Sequence, residues 1–226
     1  MEIDFEPFFR EYERLAAAAE NTFKKMEAEY GNYINCKIEC TDCCYALFDL
    51  SLIEAVYIHH RFDEVVSEEK KVQILERANQ SDRNVYKIKK KAYKAYEAGK
   101  TEDEILEQMA SEKVQCPLLN DDGRCELYAF RPITCRLYGI PTAIGGKGRT
   151  CGKSDFQKGT SYPTVNLDII HKKLYEISTE LARAIRSKYA GIGELLVPLS
   201  MALLTEYNED YLGMGEAYAL SRKKEQ

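Results

Sequence analysis

No stretch of this sequence is apolar for long enough to cross a bilayer. The longest run, LLVPLSMALL at 195–204, has about half of the ~20 residues a spanning helix needs and contains Pro198. It reads as a buried helix, and no membrane partner is expected. The opening MEIDFEPFFREYER is acidic and has no positively charged region ahead of an apolar one, the reverse of a secretory leader. Basic residues form no block wide enough to cover a domain, and the net charge is -5, so no nucleic-acid partner is expected either. Repeats and low-complexity tracts are missing. So are a Ser/His/Asp order, an H-E-x-x-H helix and paired carboxylates in a recognisable motif, which leaves ordinary hydrolase chemistry nothing to stand on.

What the chain has in plenty is cysteine, eight in 226 residues, of which four fall in the nine-residue stretch CKIECTDCC at 36–44. A chain of this length with 45% hydrophobic residues can bury a core without covalent staples. With no export signal, the expected compartment is the reducing cytoplasm, where clustered thiols hold metal or do redox chemistry more often than they form disulfides. Cys36, Cys40 and Cys43 have the C-x3-C-x2-C spacing with which a short turn wraps three thiolates around one [4Fe-4S] cluster. Cys44 points away from its neighbour Cys43 and is expected to serve another iron, a second metal or a buried structural role. The other four, Cys116, Cys125, Cys135 and Cys151, contain no C-x2-C knuckle, so a two-knuckle zinc ribbon does not fit; the reading leans to iron–sulfur with zinc as the alternative.

Around these cysteines the hydrophobic period is helical. Phe5, Phe8, Tyr12, Leu15, Ala19, Phe23, Met26 and Tyr30 form a stripe that stops at Gly31. Ser51 and Glu54 make an S-x-x-E capping box ahead of LIEAVYIHHRF, and Thr101 and Glu104 make another ahead of a short helix to about Lys113. Between them a stripe of Val72, Leu75, Asn79, Val85, Ile88, Ala92 and Tyr96 predicts one bent helix or two. Its other face, Lys87 to Lys94, is a candidate docking patch for an acidic protein partner. Leu167, Ile170, Leu174, Ile177, Leu181 and Ile185 predict a long helix, and a last one runs from about Pro198 to Tyr207. Strand signals are weak, the nearest being CYALFDL and CRLYGI. The 116–163 region is dense in Pro, Gly and Asp and has no period, so it needs an organiser, which a metal centre would supply.

The expected fold is therefore mainly α: a single helical domain over 1–226, in which two irregular cysteine-rich segments are organised around a metal centre. The metal-binding core is 36–151, with flanking helices over 1–31 and 164–226. Arg131 and Arg136, on either side of Cys135, are candidates for neutralising thiolate-bound metal or for pairing with carboxylates. Gly145, Gly146, Gly148 and Gly152 are expected to let backbone wrap the centre closely. His59 and His60 are surface or core residues first and ligands second. CGKS at 151–154 imitates the end of a phosphate-binding loop, but the first glycine that loop needs falls on Lys147.

CKIECTDCCYALFDLSLIEA, followed by CPLLNDDGRCELYAFRPITCRLYG and the later Cys151, resembles the YkgJ-type cysteine-cluster family of zinc- or iron-chelating CxxCxxCC proteins. The chain departs from that pattern in its three-residue first spacer and in Glu39, where glycine is common. The resemblance implies metal chelation by the cysteines. Some relatives are similar to lysine N-methylases that use S-adenosylmethionine, which makes a metal-dependent transferase the alternative function. The first three cysteines also share their spacing with radical S-adenosylmethionine enzymes, but Asp42 stands where those have an aromatic, and helices surround the motif in place of a barrel.

Overall fold

The computed structural model describes residues 4–37 and 40–214. The fold is mainly α, as expected. Its helices are α1 (Glu6–Tyr30), α2 (Leu52–Val65), α3 (Glu68–Glu97), α4 (Glu102–Ser111), α5 (Ile133–Leu137), α6 (Leu167–Ala184), α7 (Leu199–Leu204) and α8 (Glu209–Leu212). Five short strands accompany them: β1 (Asp49–Ser51), β2 (Thr142–Ile144), β3 (Lys147–Arg149), β4 (Val165–Asn166) and β5 (Leu196–Pro198). Glu39 and the chain beyond 214 lie outside the described residues.

The centre of the core is α2, in which six of the first seven residues are apolar and Leu52, Ile53, Ala55, Val56 and Ile58 are almost fully buried. A helix apolar on all sides must be enclosed, and here α1, α6 and α7 pack around it. From α1 come Phe9, Tyr12, Ala16, Ala19 and Met26, and from α6 Leu174, Ile177 and Leu181. The α6 stripe is the one the sequence predicts, whereas α1 also buries Phe9 and Ala16, which fall outside its predicted stripe.

The two capping boxes have different outcomes. At Thr101 it is complete: the hydroxyl accepts from the Glu104 N–H, and the Glu104 carboxylate accepts from the Thr101 N–H at 2.8 Å. At Ser51 the side chain makes no cap bond; its hydroxyl reaches the Glu54 carboxylate at 3.5 Å, and Glu54 turns inward to 3% exposure. The start of α2 is served instead from α6, where the buried Ser178 hydroxyl accepts from the Ile53 N–H at 3.1 Å.

Three local expectations need correction. The helix from 68 is a single one of 30 residues, and its buried face is Ile74, Ala78, Ser81, Val85 and Ala92, while Val72 and Tyr96 are 69% and 59% exposed. Small residues take the inner face because α7 crosses there. CRLYGI is α5 and the turn after it, not a strand, whereas CYALFDL does lead into β1, which pairs antiparallel with β5, Leu50 opposite Val197. The apolar 195–204 run is thus divided between a strand and α7, with Pro198 at the junction, where its missing N–H costs no helical bond. Of the lysine face, Lys89 is held by Asp49 at 2.7 Å and Lys91 by Glu112 at 3.5 Å, so two of its five charges are engaged internally.

Candidate metal centre

The first cysteine segment leaves α1 through a turn at Gly31–Tyr33 and ends in a tight 3-10 turn at Asp42–Tyr45, which places Cys43 and Cys44 on adjacent corners. The second segment lies directly against it. Cys116 N–H donates to the Cys44 carbonyl at 2.7 Å and Val114 N–H to the Tyr45 carbonyl at 3.2 Å. Cys125 is brought back by a turn at Asn120–Gly123, where Gly123 takes a positive φ of 72° and Leu119 bridges to Cys125. Cys135 rides on α5, and α5 is pinned by Glu54, whose carboxylate accepts from the Ile133 N–H at 3.1 Å and the Tyr12 hydroxyl at 3.4 Å. Cys151 is held near the first segment by Asn35, whose amide donates to the Lys153 carbonyl and the Asp155 carboxylate, both at 2.8 Å.

All eight cysteines are free thiols of intermediate exposure. Seven of them, Cys36, Cys40, Cys43, Cys44, Cys116, Cys125 and Cys135, line one cavity with room for about 100 Å³. Cys151 lines a smaller adjoining cavity together with Cys36 and Cys40. The Cys43 thiol is within hydrogen-bonding reach of both Cys135 and Cys44. The expected parting of the vicinal pair is not seen: Cys43 and Cys44 both have Cys116 and Cys125 as neighbours, and Cys43 is a neighbour of Cys36 as well. Among the described residues no three His, Cys, Asp or Glu side chains already surround a common point at ligand distance. Gripping an ion therefore requires the thiols to close in by side-chain rotation.

The electrostatics concentrate negative charge on one sulfur. Hydrogen bonds from Cys135 and Cys44 pull the Cys43 thiol well below its ordinary value, and the same two bonds push Cys44 and Cys135 up. Burial, and then neighbouring thiols, raise Cys36 to about 11 and Cys116 to about 12; burial also raises Cys125 to about 11. Arg131 opposes the rise at Cys36 and Cys125 and adds to the fall at Cys43. Arg131 and Arg136 both bond one Glu20 oxygen, at 2.9 and 3.1 Å, and Arg131 stacks on Tyr128 at 4.1 Å. Both arginines line the larger cavity as well, so the carboxylate pairing and the place beside the thiols occur together.

The glycine that approaches the cysteines is Gly139, which sequence reasoning missed. Its φ is +105°, and a Cβ there would stand 2.9 Å from the Cys36 Cβ. Gly145 and Gly146 form the exposed turn of the β2–β3 hairpin, and Gly148 and Gly152 have nothing nearby, so none of the four wraps the thiols. Backbone N–H groups from other residues do meet the sulfurs: that of Lys153 lies 3.4 Å from Cys151 Sγ, those of Leu118 and Leu119 donate to Cys116 and that of Leu127 to Cys125. CGKS is a turn and not a strand-to-helix loop. His59 is half-buried on α2, facing Asp63 and Tyr207, and His60 lies against Phe9; neither lines the thiol cavities.

Two irregular segments, each rich in thiols and clamped by helices, define the chain as a cysteine-cluster protein. The model of the CxxCxxCC family, described as a "putative zinc- or iron-chelating domain", matches residues 35–152, just over half of the chain, and the protein belongs to that family. No curated protein and no solved structure matches it. Its family and its eight cysteines make it a metal-binding protein. Among the described residues no helix is long and apolar enough to cross a membrane.

Proposed function

We propose that the eight cysteines hold an iron–sulfur cluster, of the [4Fe-4S] type, or zinc, in a redox or metal-handling role. The observation that carries this is the convergence of seven thiols from two distant segments on one cavity. The donor set fits both candidates, since soft thiolates select zinc and iron–sulfur centres and disfavour magnesium or calcium. Bound there, a cluster would supply one-electron transfer and zinc a fixed tetrahedral cross-link. Cys36, Cys40, Cys43, Cys44, Cys116, Cys125, Cys135 and Cys151 are the proposed ligands. Arg131 offsets their negative charge, Arg136 holds Arg131 in place through its carbonyl at 3.0 Å, and Glu54 fixes the helix that delivers Cys135.

The alternative, an S-adenosylmethionine-dependent transferase such as a protein lysine N-methylase, needs room for a nucleoside beside the metal. Pockets for such ligands run to about 300–1,000 Å³, and the ~100 Å³ here favours metal alone. The two readings separate when S-adenosylmethionine is added to anaerobically purified, reduced protein: an unchanged electron paramagnetic spectrum is expected, and a perturbed one would favour the transferase. The visible spectrum of the same sample distinguishes a brown cluster from colourless zinc.

A further inference from the structure

We infer that the cysteines form two centres, and that Cys36, Cys40 and Cys151, with the carboxylate of Asp42, make a separate site for a single thiophilic divalent cation. This rests on the metal-binding reading and divides its ligands. The smaller cavity has room for about 10 Å³, the space of one water-sized probe. Three of the eight thiols line it, Cys36, Cys40 and Cys151, together with Tyr138, Gly139 and the 153–154 turn. Cys151 does not line the larger cavity, Cys36 and Cys40 line both and stand between the two, and Cys43, Cys44, Cys116, Cys125 and Cys135 do not line the smaller one. An ion fits such a space and a four-iron cube does not. The five remaining thiols are enough for a cluster in the larger cavity.

Three thiolates leave a tetrahedral ion one ligand short, and Asp42 is placed to complete it. Its Oδ2 accepts from Cys151 Sγ at 3.6 Å and from the Tyr138 hydroxyl at 3.1 Å, so it stands immediately behind two walls of the small cavity. When Cys151 binds metal, its proton passes to solvent and its hydrogen bond to Oδ2 is lost, which frees that oxygen to turn toward the ion. Three thiolates and a carboxylate around a divalent ion leave a net charge of -2. Lys113 and Lys153, at 3.4 and 3.9 Å from Asp42 Oδ1, offset it. A sulfur-rich tetrahedral set with one oxygen suits zinc or ferrous iron.

The test is an anaerobic cobalt(II) titration of the full chain after metal removal, followed by absorbance and metal analysis, with helix content checked by circular dichroism. Cys151→Ser should lose one metal equivalent and keep the rest, while Cys125→Ser should spare that equivalent. Asp42→Ala should weaken it about tenfold or more. Asp42→Cys should retain it and shift its cobalt bands to an all-thiolate pattern. If folded Cys151→Ser loses every equivalent together, or none, the two-centre division is wrong. An Asp42→Cys spectrum identical to that of the unsubstituted chain would remove Asp42 from the site. Absence of any metal uptake by the unsubstituted chain would instead refute the metal-binding reading itself.

Discussion

Glu54 joins α1, α2 and α5 through one carboxylate. It accepts from Tyr12, Ser51 and the Ile133 backbone while almost fully buried, so Glu54→Ala leaves donors without partners in the core. The expected loss is about 3 kcal/mol, read as a lowered urea midpoint. Burial raises its carboxyl above the ordinary 4.5 despite the hydrogen bonds that favour the ionised form. Its contribution to stability is thus complete below that ordinary value and is lost as pH rises through the raised folded one. Glu54→Gln, neutral at every pH, should flatten this slope, so its stability relative to the native chain should improve from mildly acid to neutral pH. Gly139→Ala is expected to cost about 1–3 kcal/mol and to reduce metal uptake, because it strains a φ of +105° and pushes a methyl onto Cys36. Metal content and thermal midpoint check both effects; an unchanged midpoint would remove Gly139 from the account. Neither role was legible in sequence. Glu54 is recognisable as the third residue after a serine, but nothing in that pattern says that its carboxylate turns inward. Gly139 is indistinguishable from Gly145 until the chain is folded against α1.

The elements were legible where hydrophobic period and burial coincide. The α6 stripe is its buried face, and the Thr101 box caps α4 as its spacing predicts. On α3 the large residues Val72 and Tyr96 suggested an inner face, yet the crossing of α7 selects Ala78 and Ser81. Close helix approach rewards small side chains, a property that a hydrophobic stripe does not encode. Ala78→Phe should therefore destabilise by about 1–3 kcal/mol, while Val72→Asn changes stability by less than about 0.5 kcal/mol. Equal effects in chemical denaturation would restore the stripe the sequence suggested. The β1–β5 pair was half legible: CYALFDL leads into β1, but its partner lies inside a run that reads as a buried helix.

At the scale of the whole molecule, the eight cysteines and their division into two segments were plain in the sequence. Their meeting was expected too, around one metal centre; the way they meet was not legible, because two backbone bonds, Cys116 to Cys44 and Val114 to Tyr45, leave no periodic trace. The apolar core around α2 is continuous through α1, α6 and α7, and Cys36, Cys116 and Cys125 pack against it only as partly buried neighbours. Metal removal should therefore loosen the 112–155 region, seen as faster amide exchange there, while most helical circular dichroism persists. Complete unfolding on chelation would mean that metal, not the helical core, holds the chain together.

The most direct test of the central claim is the measurement of iron, zinc and acid-labile sulfide per chain in protein purified without oxygen. The account predicts metal in stoichiometric amount, as iron with matching sulfide or as zinc. Folded, reduced protein that carries neither and takes up neither when they are supplied would contradict it.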